Sequence, residues 1–215
     1  MTTATFDLDR PARALYDAQG RSFDAVTRAW TYVRSAEHVA HGERLDVVGA
    51  ATWLQRDSGH PLRVPVGVVG PREATTAQLA AALRVGERLA DCGFFVVCGG
   101  RGGVMQAVCE GVKRVGGTSI GLLPDTEPAY ANHYVDIVLA TGMGEGRNAL
   151  IACASFCLVA IGNSYGTLSE VALARQYGKL VLGLEGAPQV EGVVHVGSTH
   201  EAVERVAAAA LGVDA

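Results

Sequence analysis

From Val64 onward, short and uniformly apolar runs alternate with segments of helical spacing, and this alternation restricts the fold more than any other feature. Strands are predicted over 64–70, 94–98, 118–123, 135–139, 156–161 and 180–184. Helices are predicted over 75–90, 103–115 and 146–155, with another following Thr167. A short strand, Val193-Val194-His195-Val196, and a helix from Thr199 to Leu211 close the series. Strands that are apolar on both faces belong to a parallel sheet covered on both sides. Right-handed crossovers then give an α/β, doubly wound, Rossmann-like domain. Pro65 places the start of the first strand near a sheet edge or a strand end.

Residues 1–60 lack this rhythm and are assigned to an N-terminal accessory segment, with residues 61–215 as the Rossmann-like domain. Leu15 to Phe23 has the pattern of a hairpin turning near Gln19-Gly20. Leu45 to Arg56 has helical spacing, weakened by Gly49, and Trp30 and Trp53 are candidate packing anchors. The segment is expected to pack on the main domain or on a partner subunit. Nothing in it has the residue types of a catalytic constellation.

The net charge of −4 argues against bulk attraction to nucleic acid or to an anionic membrane. No apolar stretch reaches transmembrane length and the N-terminus has no signal-like apolar region, so a soluble cytoplasmic protein is expected. The cysteines are Cys92, Cys98, Cys109, Cys153 and Cys157. Their odd number and apolar flanks favour buried reduced thiols over a metal site.

Ligands of doubly wound sheets bind beyond the C-terminal strand ends. That rule gathers four loops: Gly70-Pro71-Arg72, Gly99-Gly100-Arg101-Gly102-Gly103, Pro124 to His133, and Gly162-Asn163-Ser164-Tyr165-Gly166-Thr167. The last joins a buried strand to a helix N-terminus, a general anion site because first-turn amides lack intrahelical acceptors. Gly99 to Gly103 holds four glycines in five positions, which let backbone approach a ligand closely or simply make a tight turn. The first loop is not G-x-G-x-x-G and no acidic residue ends the second strand, which argues against a nicotinamide dinucleotide. Thr167-Leu168-Ser169-Glu170 also fits a capping box, with Thr167 as cap and Glu170 reaching back. Arg147, at the opening of the third helix, reads alone as a solvated helix-end arginine. It gains interest because Arg147 and Glu170 both follow strand C-termini.

Gly99 to Met105, the strand ending Leu122-Leu123-Pro124, Arg147-Asn148, and Tyr165 to Glu170 together resemble the Lonely Guy superfamily over about residues 64–184. That group includes cytokinin-activating phosphoribohydrolases and molybdenum cofactor carrier proteins. The hydrolases carry P-G-G-x-G-T-x-x-E; here Gly162-Asn163-Ser164 replaces P-G-G, and Ser169 stands where a second Glu is usual. Gly-Thr-Leu-Ser-Glu looks closer to the carrier-like branch.

The resemblance implies Arg147 and Glu170 as the catalytic pair. Ligand contacts are expected from Gly70, Gly99, Gly100, Gly102, Gly103, Met105, Asn148, Ser164, Gly166 and Thr167. It also implies a homodimer or homotetramer. As an enzyme the chain would cleave the N-glycosidic bond of a nucleoside 5′-monophosphate, releasing base and ribose 5-phosphate, with no metal or cofactor required. Glu170 would then stabilise an oxocarbenium-like state or activate water. As a carrier it would hold a phosphate-bearing ligand such as the molybdenum cofactor, with Arg147 and Glu170 positioning it.

Overall fold

The structure, a computed structural model, describes residues 4–32 and 42–213. Residues 1–3 and 33–41 of the expected accessory segment lie outside the described residues. The chain divides into two compact units: residues 63–202, and residues 1–62 together with 203–215.

The smaller unit is built on a five-stranded antiparallel sheet. Its strands are β1 (Phe6–Asp9), β2 (Ala14–Asp17), β3 (Arg21–Asp24), β4 (Ala29–Tyr32) and β5 (Glu43–Leu45), in the order β4-β3-β2-β1-β5. The expected hairpin is β2–β3. It turns at Gly20, whose φ is 74°, and the Asp17 carboxylate accepts the Gln19 and Arg21 amides at 3.0 and 2.8 Å. The other three strands were not anticipated. Phe6 and Phe23 pack on Trp30, with ring centroids 5.7 and 5.0 Å away. Helix α1 (Val47–Arg56) is capped by Asp46, which accepts the Gly49 amide at 2.7 Å, and it buries Trp53. Trp30 Nε1 donates to the Leu211 carbonyl at 2.7 Å, within the last turn of the C-terminal helix, Thr199–Leu211.

The larger unit begins with β6 (Val66–Val69), α2 (Thr76–Asp91), β7 (Val96–Cys98), α3 (Val104–Arg114), β8 (Ser119–Leu123) and β9 (Ile137–Ala140). It continues with α4 (Asn148–Ala154), β10 (Cys157–Ile161), α5 (Tyr165–Gln176), β11 (Leu180–Leu184) and β12 (Val194–His195). The last helix is α6 (Thr199–Leu211), whose residues from Val203 onward belong to the smaller unit. All seven strands are parallel, in the order β12-β11-β10-β6-β7-β8-β9. The α/β, Rossmann-like expectation is met. Every residue of β6 and β10 is buried, as strands covered on both faces require. Pro65 stands just before a central strand, so it marks a strand end and not a sheet edge. Four cysteines are buried as expected, but Cys153, in the last turn of α4, is exposed.

Helices α2 and α3 approach closely at two glycines. A Cβ on Gly111 would run into the Leu83 carbonyl oxygen, and one on Gly86 into that of Val108. Helix α2 begins with a capping box. Thr75 Oγ1 accepts the Gln78 amide at 3.2 Å, and Gln78 Oε1 accepts the Thr75 amide at 3.0 Å.

Candidate functional site

The sheet order reverses between β10 and β6, where the connections leave in opposite directions and a crevice opens beyond the strand ends. A cleft of about 850 Å³ lies there. It is lined by the loop after β6 (Gly70 to Glu73), by Gly99 and Met105, by Glu145, Arg147 and Asn148 before and in α4, and by the start of α5.

Helix α5 starts earlier than the capping-box reading requires. Ser164 is the N-cap: its Oγ accepts the Thr167 amide at 3.1 Å and lies 2.9 Å from Thr167 Oγ1. Thr167 is therefore inside the first turn, and the Thr167–Glu170 capping box does not form. Serine and threonine three positions apart can each cap; the extended backbone falls at Ser164, and that position takes the role.

Glu170, released from capping, meets Arg147. Arg147 Nη1 donates to Glu170 Oε1 at 3.0 Å and to Asn148 Oδ1 at 2.6 Å. Asn148 Nδ2 donates to Ser169 Oγ at 2.8 Å, and Ser169 Oγ donates to the Gly166 carbonyl at 2.7 Å. Arg147 and Glu170 are only 5% and 6% exposed, so the solvated-arginine reading of Arg147 fails. Burial pushes the Glu170 carboxyl up to about 7; the charge and hydrogen bond of Arg147 pull it down, and Glu145 pushes it up further. Arg147 Nε is buried and has no partner among the described residues. A buried guanidinium with an unmet donor at a cleft wall is suited to a ligand acceptor.

The glycine-rich loop after β7 seats two arginines. A Cβ on Gly99 would collide with Arg147 Nη2 and lie 2.6 Å from Met105 Sδ. Gly103, at φ 69°, brings the start of α3 against the Pro71 and Arg72 carbonyls, and its Val104 amide donates to Pro71 O at 3.1 Å. Gly100 faces the next loop, its carbonyl accepting the Asn132 amide at 2.9 Å and Asn132 Nδ2 at 3.1 Å.

Of the residues singled out from sequence, the structure gathers Gly70, Gly99, Met105, Arg147, Asn148, Ser164, Gly166, Thr167 and Glu170 around the cleft. It does not bring Gly100, Gly102 or Gly103 to the lining. Arg72, Asn163 and Tyr165, which lie in loops gathered from the sequence but were not named as contacts, also line it, as do Val69, Pro71, Glu73, Glu145 and Ser169. Arg72 carried a usable signal, because it follows the first strand of the doubly wound unit.

The chain is similar to a molybdenum cofactor binding protein from the phototrophic bacterium Rippkaea orientalis, at 33% identity and a TM-score of 0.64. That match covers 67% of this chain and 96% of the other. The molybdenum cofactor carrier protein of Chlamydomonas reinhardtii is 35% identical, with a TM-score of 0.62 over 67% of this chain and 98% of its own. An uncharacterized protein of Archaeoglobus fulgidus is 38% identical over 138 residues, 64% of this chain and 91% of that one. A family model matches residues 63–210, which takes in the whole seven-stranded sheet and the cleft. The Lonely Guy resemblance read from the motifs is thereby placed more narrowly: this chain belongs to the SLOG cluster4 family.

Proposed function

We propose that this chain binds and carries a phosphate-bearing small molecule of the molybdenum cofactor class. The observation that carries the binding reading is Arg147 Nε, a buried donor without a partner among the described residues, at the wall of a cleft of about 850 Å³. The first-turn amides of α5 at Tyr165 and Gly166 supply the anion-favouring end of a helix in the same cleft. These groups fit a ligand with a phosphate and further acceptor atoms. The choice of ligand rests on similarity to proteins that bind or carry the molybdenum cofactor, spanning nearly all of their length. In this reading Arg147 and Glu170 position the ligand, and no bond is broken.

A second reading is favoured by one observation: a buried carboxyl held near neutrality beside an arginine suits proton transfer at physiological pH. On a nucleoside 5′-monophosphate, ionised Glu170 would stabilise positive charge developing on the ribose or take a proton from water. Arg147 would orient the departing base.

One experiment separates the readings. The protein is titrated with molybdopterin and with a panel of nucleoside monophosphates, and each mixture is assayed for free base and ribose 5-phosphate. Carriage predicts molybdopterin binding without base release from any nucleotide. Release from a nucleotide would establish the hydrolase, and failure to bind any phosphate-bearing member of the panel would refute both readings.

A further inference from the structure

Among the described residues, five charged side chains line the cleft: Arg72, Glu73, Glu145, Arg147 and Glu170. Three are carboxylates, and when ionised they oppose entry of an anion. Arg147 is committed to Glu170 at 3.0 Å. Among the described residues, Arg72 makes no hydrogen bond or ion pair through its side chain, so its guanidinium, unlike that of Arg147, has every donor open to a ligand. Its guanidinium is exposed, while its backbone is held. Pro71 O accepts the Val104 amide, and Gly103 lets the start of α3 close on the Arg72 carbonyl. A Cβ on Gly102 would lie 3.8 Å from Arg72 Cγ, an ordinary packing distance, so the arginine stem passes beside this loop. Arg72 thus stands on a fixed base at the border of this cleft, which the start of α5 also lines, and of a second cavity of about 510 Å³ lined by residues of α2 and α3.

We propose that Arg72 is the phosphate-discriminating residue of the cleft, anchoring a phosphomonoester whose remaining oxygens take the first-turn amides of α5. The inference rests on the reading that the ligand carries a phosphate, and it assigns that phosphate's counter-charge to Arg72 and not to Arg147. Guanidinium is suited to this role because its planar fork pairs two donors with two phosphate oxygens. An ammonium on a lysine supplies charge without the fork. The carboxylates of Glu73 and Glu145 weaken the cleft's attraction for an anion that does not pair with Arg72.

The test compares wild type, Arg72→Ala and Arg72→Lys by calorimetric titration with adenosine 5′-monophosphate and with adenosine, which differ only in the phosphate. Arg72→Ala should weaken the monophosphate by roughly tenfold or more and leave adenosine unchanged, with Arg72→Lys between. An unchanged monophosphate-to-adenosine ratio in Arg72→Ala would overturn the proposal. If neither compound binds wild type, the nucleotide is the wrong ligand, and inorganic phosphate decides the role of Arg72. Under phosphate titration, the arginine side-chain nitrogen resonance missing from Arg72→Ala should shift saturably in wild type. A resonance that stays still overturns the assignment.

Discussion

Glu170→Gln is expected to stabilise this protein at alkaline pH. Burial raises the Glu170 carboxyl from its ordinary 4.5 to about 7, the pull of Arg147 already included. A raised acid favours the folded state in its protonated form. That contribution is complete below pH 4.5, declines as the pH rises toward 7, and is gone above it. The gap corresponds to roughly 3 kcal/mol. Glutamine keeps the shape, can still accept from Arg147 Nη1, and never ionises. At pH 8 the variant should therefore be more stable by up to roughly 3 kcal/mol, or roughly 6–12 °C in Tm for a chain of this size. At pH 4 the two proteins should melt together, because wild-type Glu170 is then neutral as well. The assay is thermal or urea unfolding of both proteins from pH 4 to 9. A variant less stable at pH 8, or a difference that stays constant across the range, would refute the assignment of Glu170 as a buried, reluctantly ionised acid. The same variant tests function: under the hydrolase reading turnover falls about 100-fold or more, whereas under the carrier reading the ligand is still held.

Gly99→Ala should displace the Arg147 guanidinium and break its bond to Glu170. Because the clashing atoms are ends of long side chains, stability should fall by only about 1 kcal/mol. The Glu170 carboxyl should titrate above its wild-type value in a carbon-detected NMR titration, and an unshifted curve would show that the guanidinium had not moved. Gly111→Ala meets backbone at the Leu83 carbonyl, so urea unfolding should show a loss of about 1–3 kcal/mol or more. The family resemblance implies a homodimer or larger even oligomer, to be measured by light scattering at micromolar concentration; a monomer would count against it.

The sequence made the seven-stranded sheet readable because its strands are apolar on both faces. Val66–Val69 and Cys157–Ile161 leave no room for an alternating, half-exposed reading. The antiparallel sheet of the smaller unit was mostly hidden, for a local reason. Its strands are three or four residues long, too short for a period of two to show. The hairpin that was read turns on Gly20, a residue that announces a positive φ. The turns between β1 and β2 and between β3 and β4 place Arg13 and Arg28 at φ 53° and 60°, and arginine carries no such signal. At the cleft, Arg147 and Glu170 stood out by their places after strand ends and by the family resemblance, but the bond between their side chains was not legible. Nor was the start of α5, because Ser164 and Thr167 are both competent caps. The glycines of the loop after β7 were visible, but whether each vacant Cβ position faces a ligand or an arginine is settled by packing between distant segments.

Protein synthesis runs from the N-terminus, and the sheet order makes the cleft a late product of it. Strands β6, β7, β8 and β9 emerge in the order in which they lie side by side, so each finds its neighbour already made. The other flank of β6 waits for β10, which follows both β9 and α4. Until β10 is released, Val66 to Val69 present an apolar strand edge with no partner, a surface that attracts other unfinished chains and chaperones. Insertion of β10 closes that edge and, in the same event, brings α5 and Glu170 opposite Arg147. A nascent chain halted before β10 thus exposes that edge while the cleft walls that α5 supplies are still missing.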